Sequence, residues 1–151
     1  MNQKNKLSNK VINNRKAIGT YGESVAVKYL KDKGYEILFR NYVNKIGELD
    51  IVCKKEDTIH VIEVKTVTAK KDRLRKITPV IDAEEHLDRR KIRKVTSSAL
   101  LYMLEKGYKE SIGLSIDSVL VCLCKKEGSD MHFPQCLDRI CVRYIKNINI
   151  Y

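Results

Sequence analysis

The sequence predicts an α/β protein, a mixed sheet flanked by helices in the order helix, three strands, helix, two strands. Three observations lead there. Gly47 to Lys65 holds two runs of period-2 alternation joined by a short polar turn, the pattern of a strand hairpin. Apolar residues at helical spacing lie on both sides of that hairpin. Two further alternating runs close the chain. An antiparallel start with covering helices makes a mixed sheet in a layered α/β fold.

Residues 1 to 15 are Asn, Lys and Ser with few apolar side chains, and are expected to form a disordered basic arm ahead of a single domain, 16–151. From Ala17 to Lys33 the spacing is helical, with Ile18, Gly22, Ala26, Tyr29 and Leu30 on one face and Gly34 as the stop. Glu23 falls on the buried side of that helix, where a carboxylate needs a partner. It is either a structural salt bridge or part of a site. Tyr35 to Tyr42 reads as the first strand, and Asn41 to Lys45 as the link into the hairpin.

In the hairpin, Leu49, Ile51 and Cys53 alternate with Glu48, Asp50 and Val52; Ile59, Val61, Glu63 and Lys65 alternate with His60, Ile62 and Val64. A tight turn around Lys55 to Thr58 pairs Lys54 with Ile59, Val52 with Val61, Asp50 with Glu63, and Glu48 with Lys65. Directly opposed residues share a face. Three carboxylates and one ammonium would gather there among apolar neighbours. Two carboxylates so close must share a proton or hold a cation. Magnesium is satisfied by one or two carboxylates because it keeps several waters.

Residues 67 to 86 carry the basic run Lys70, Lys71, Arg73, Arg75 and Lys76 and are expected to be a loop that meets a nucleic-acid backbone. A second helix is expected from Ala83 or His86 to Lys106, with Leu87, Val95, Ala99, Tyr102 and Met103 on its apolar face and Gly107 at its end. Lys91 falls on that apolar face, which a snorkelling lysine stem can occupy. Leu114 to Cys124 and Ile140 to Ile145 are the last strands. Asp117 reads as a hydrogen-bonded structural residue.

The net charge of +11, from thirty basic and nineteen acidic residues, favours a polyanionic partner, with nucleic acid ahead of an acidic membrane surface. No stretch is long and apolar enough for a membrane span, and no apolar segment follows the basic N-terminus as in a signal peptide, so a cytoplasmic protein is expected. Five cysteines and three histidines complete no metal-ligand spacing; the cysteines are expected reduced and packed as small apolar residues.

Asp50, twelve intervening residues and then Glu63-Val64-Lys65 resembles the D-x(n)-E-x-K core of the PD-(D/E)xK nuclease superfamily. The wider pattern resembles the YraN-like family of bacterial proteins. Its blocks appear in order as Gly19-Thr20-Tyr21-Gly22-Glu23, Ala26 to Leu30, Gly47-Glu48-Leu49-Asp50 and Ile62-Glu63-Val64-Lys65. The resemblance implies a restriction-endonuclease-like fold and a magnesium-dependent nuclease acting on DNA, with manganese as a possible substitute and a role in repair or recombination. Asp50, Glu63 and the Val64 backbone carbonyl would hold the ion. Glu23 would hold a second ion or a metal-bound water. Lys65 would stabilise charge on the phosphate, with Glu48 behind the ligands or paired to Lys65, and Lys91, which matches a Lys the family tends to carry, would be an auxiliary phosphate contact. A four-way-junction resolvase would need two sites and hence a homodimer. The family's Arg after V-K-T is Val67 here. The competing class is a non-catalytic nucleic-acid-binding protein that keeps the fold, and a third reading treats the hairpin charges as structural.

Overall fold

A computed structural model describes residues 3–70, 89–126 and 133–148. Its elements are α1 (Gln3–Asp32), β1 (Glu36–Val43), β2 (Glu48–Lys55), β3 (Thr58–Lys70), α2 (Arg89–Glu105), β4 (Gly113–Lys125) and β5 (Leu137–Ile145). The strands form one sheet in chain order, β1-β2-β3-β4-β5. All neighbours are antiparallel except β3 and β4, which are parallel. A parallel pair needs a crossover, and α2 lies within it. The result is the restriction-endonuclease-like mixed α/β sheet expected from the sequence.

The two helices among the described residues cover opposite faces of the sheet. On one, Ala26 and Leu30 of α1 pack with Ile51, Cys53, Ile62, Val119, Val121 and Leu123. On the other, Val95, Ala99 and Tyr102 of α2 pack with Leu49, Val52, Ile59, Val61 and Ile116. The central strands are therefore apolar on both faces, which is why β4 reads as a near-continuous buried run. Both helices end on a left-handed glycine. Gly34 has φ +82°, and Tyr35 N–H reaches back to the Leu30 carbonyl at 3.0 Å. Gly107 has φ +65°, and Tyr108 N–H reaches Met103 O at 3.1 Å. Those hydrogen bonds satisfy carbonyls the helix itself leaves open.

Three boundaries differ from expectation. Helix α1 begins at Gln3, inside the stretch expected as a disordered arm; no Gly or Pro interrupts the chain before Gly19, so nothing local stops the helix. Strand β3 continues past Lys65 to Lys70, through the start of the expected loop. Thr66, Val67 and Thr68 are β-branched, and β4 supplies partners as far as Lys70↔Lys125. Strand β5 starts three residues before Ile140 because Leu137 already pairs with Lys125. Lys71, Arg73, Arg75 and Lys76 lie outside the described residues, and of Lys70 only the backbone is described.

Helix α1 sits against β3 at close range. A Cβ on Gly22 would lie 1.8 Å from Thr66 Oγ1, well inside contact distance. The glycine lets the helix axis approach the sheet and brings Glu23, the next residue, over β3.

Candidate functional site

The β2–β3 register is the one the alternation predicts: Lys54↔Ile59, Val52↔Val61 and Ile51↔Ile62 are partners. Beyond Ile51↔Ile62 the ladder stops. Continuing it would set Leu49 opposite Val64, but Asp50 intervenes: its Oδ2 accepts the Val64 N–H at 2.8 Å. The strands part at that point, and the Asp50 and Glu63 side chains remain together at the opening. In a strand, the N–H and C=O of one residue leave from the same edge. The Val64 carbonyl therefore faces the same opening as its N–H.

Asp50 is half-buried and Glu63 is 8% exposed. Burial, first, and the charge of Glu63, second, push the Asp50 carboxyl up to about 6; the Val64 N–H and the Lys91 ammonium oppose them, and Glu23 adds a smaller push upward. Water is a poor screen in such a place, so the mutual repulsion is felt.

Lys91 supplies the counter-charge. From the third residue of α2 its Nζ forms a hydrogen-bonded ion pair with Glu63 Oε1. The sequence places Lys91 on the apolar face, as a snorkelling stem or a phosphate contact; in the structure its ammonium is bound to Glu63. Its stem lies along the face that also carries Ile92 and Val95, which explains the apolar spacing.

The remaining expected site residues are more dispersed. Lys65 and Glu48 are both exposed, and no ion pair joins them among the described residues, because the ladder that would oppose them has ended. Glu48 pairs with Val43 and Lys65 with Leu120. Lys65 lies two residues beyond Glu63 and shares its face. Glu23 takes partners from β1: Asn41 Nδ2 donates to its Oε2 at 3.2 Å, and an Arg40 guanidinium nitrogen lies 3.9 Å away. Asn41 itself has a left-handed backbone, at φ 50°. Glu23 also borders a cleft of about 300 Å³ between α1 and β3, with Arg15, Gly19, Val64, Thr66 and Thr68. Among the described residues, no three His, Cys, Asp or Glu side chains gather into one metal cage.

The donor set still suits a hard cation. Asp50 Oδ1 and Glu63 Oε2 accept no hydrogen bond among the described residues. Two carboxylate oxygens and a carbonyl, with the balance from water, match magnesium's preference.

A second polar cluster is only half visible in the sequence. Asp117 is fully buried, and four donors meet it: His60 Nδ1 at 2.6 Å, Tyr144 Oη at 2.5 Å, Ser115 Oγ at 2.7 Å and Asn147 N–H at 2.8 Å. Burial alone would raise its pKa; those hydrogen bonds, His60 first, outweigh burial and lower it. A carboxylate only accepts, so Nδ1 carries the proton. The cluster ties β3, β4 and β5 together, in keeping with the structural reading of Asp117. The alternation of β3 gives no sign that His60 is its partner.

An α/β sheet of this order, opened at a carboxylate pair by an E-x-K strand, defines a restriction-endonuclease-like protein. The sequence profile of the uncharacterised protein family UPF0102 matches residues 22–121. A UPF0102 protein of Syntrophomonas wolfei is 38% identical over 105 residues, spanning 69% of this chain and 84% of its own. One from Campylobacter jejuni is 38% identical over 105 residues, at 70% and 81% coverage. One from Campylobacter fetus is 29% identical over 131 residues, at 87% and 92%. The chain belongs to the UPF0102 family, the YraN-like family that its motif blocks resemble.

Proposed function

We propose that this protein is a magnesium-dependent nuclease that hydrolyses phosphodiester bonds in DNA, selective for structure and serving repair or recombination. The observation that carries the reading is the Asp50–Glu63 pair: two carboxylates held together, desolvated, where β2 and β3 part. Their repulsion opposes folding, and a bound cation would offset it. Asp50, Glu63 and the Val64 carbonyl would hold the ion, which when bound would polarise the scissile phosphate and acidify a water. The Val64 N–H fixes the Asp50 carboxylate so that it does not reorganise during the reaction. Lys65, exposed on the face of Glu63, offers its ammonium to the negative charge that builds on the phosphate. Glu23, held by Asn41 and Arg40, orients water at the edge of the cleft. The basic surface, including the run Lys70 to Lys76, neutralises the DNA backbone.

The Lys91–Glu63 ion pair favours a second reading, a nucleic-acid-binding protein with no catalysis, since it already compensates part of the acidic charge. Calorimetry with magnesium and manganese separates the two. Saturable binding by the wild type, absent from Asp50→Asn/Glu63→Gln, together with cleavage of a duplex, fork, flap, junction or single-stranded DNA, supports the nuclease. DNA binding with no ion uptake and no cleavage of any of these supports the second reading.

A further inference from the structure

We infer that Lys91 is an exchangeable counter-ion: its ammonium stands in for the divalent cation on Glu63, and must leave Glu63 when the cation binds. The inference rests on the metal site proposed above and adds to it a residue that sets cation affinity. Glu63 is nearly buried, and Lys91 is its ion-pair partner among the described residues. Asp50 adds a second negative charge, and its own hydrogen bond comes from a backbone N–H rather than from a cation. One ammonium thus serves two carboxylates. A divalent ion brings twice that charge to the same oxygens, so the two cations compete for one place. The exchange is feasible because the Lys91 side chain is 57% exposed: its head reaches water as soon as it releases Glu63, whereas Glu63 has no such outlet at 10% side-chain exposure. Lys91 also sits in the first turn of α2, directly after the 71–88 segment that carries most of the basic run.

The roles of the two lysines separate. Lys65 lies on the strand beside Glu63 and makes no ion pair among the described residues, so it is free to act on a phosphate in either state. Lys91 is a positioning residue: it acts through Glu63, holding the carboxylate in place until the cation arrives.

The test is calorimetric titration of magnesium and of manganese into the full chain, without DNA, for wild type, Lys91→Met, Lys91→Arg and Glu63→Gln/Lys91→Met. Removing the resident cation should tighten divalent-ion binding about tenfold in Lys91→Met. Lys91→Arg should stay near wild type, and the double variant should bind weakly. Thermal unfolding without and with magnesium covers the case in which Lys91→Met is unstable alone: the ion should raise its midpoint more than it raises that of the wild type. Equal or weaker ion binding by a folded Lys91→Met, with the wild type binding normally, overturns the exchange and leaves the metal site standing. Absence of ion binding in all four proteins overturns the metal site itself, and the exchange with it.

Discussion

Asp50 should make the protein less stable at neutral pH than in mild acid, in a window that one substitution removes. The ordinary aspartate value lies near 3.8, and burial plus the Glu63 charge hold Asp50 at about 6 in the folded protein. The folded state therefore binds this proton more tightly than the unfolded chain. Below the unfolded value both states are protonated and Asp50 costs nothing. As pH rises from 3.8 to about 6 the unfolded chain releases its proton first, and stability falls. Above that window the full penalty applies. At about 1.4 kcal/mol per tenfold change in proton affinity it comes to about 3 kcal/mol. Asp50→Asn keeps an oxygen to accept the Val64 N–H but carries no charge. Urea unfolding of both proteins across the window, in magnesium-free buffer, measures the difference. The variant should gain about 3 kcal/mol over the wild type between about pH 4 and pH 7. Added magnesium at neutral pH should return part of that difference to the wild type and leave the variant unchanged. A difference that stays constant across the window would refute the account of Asp50 as a desolvated, repelled carboxylate.

Other outcomes follow from single contacts. Gly22→Ala places a methyl on Thr66 and should cost about 1–3 kcal/mol, seen as a lower melting midpoint; Gly22→Ala/Thr66→Ala should recover part of it. Asp117→Ala leaves buried donors from His60, Tyr144 and Ser115 without an acceptor and should cost about 3 kcal/mol or more in urea unfolding. Glu63→Gln and Asp50→Asn should each abolish DNA cleavage while far-ultraviolet circular dichroism stays that of the wild type; cleavage retained in both would remove the pair from the mechanism. Replacing Lys71, Arg73, Arg75 and Lys76 with glutamine should flatten the dependence of log affinity on log salt, measured on duplex DNA. The slope should fall by about 0.9 for each phosphate no longer neutralised. An unchanged slope would take that segment out of the footprint.

Local sequence is enough to place the β2–β3 strand pair and its register. Alternation with period two carries a face assignment with it, and a tight turn leaves little choice of partner, so Val52 has to meet Val61 and Asp50 has to approach Glu63. Helix stops are legible for the same local reason: Gly34 and Gly107 take left-handed conformations that other residues resist. The YraN-like motif blocks, read together, carry the family.

What only the tertiary structure decides depends on contacts between distant segments. Where the ladder ends is one case, because it turns on a side chain, Asp50, replacing the backbone as acceptor for Val64. The length of β3 is another: Thr66 to Lys70 is a strand because β4 lies beside it, and no local pattern announces a parallel neighbour more than fifty residues away. Glu23, expected at the metal, is engaged by Asn41 and Arg40, partners from a strand that its own helix does not announce. Helical spacing alone makes Lys91 a cation beside an apolar stripe. Spacing gives a residue's direction on its own helix and nothing about what the facing sheet presents there, which is the buried carboxylate of Glu63.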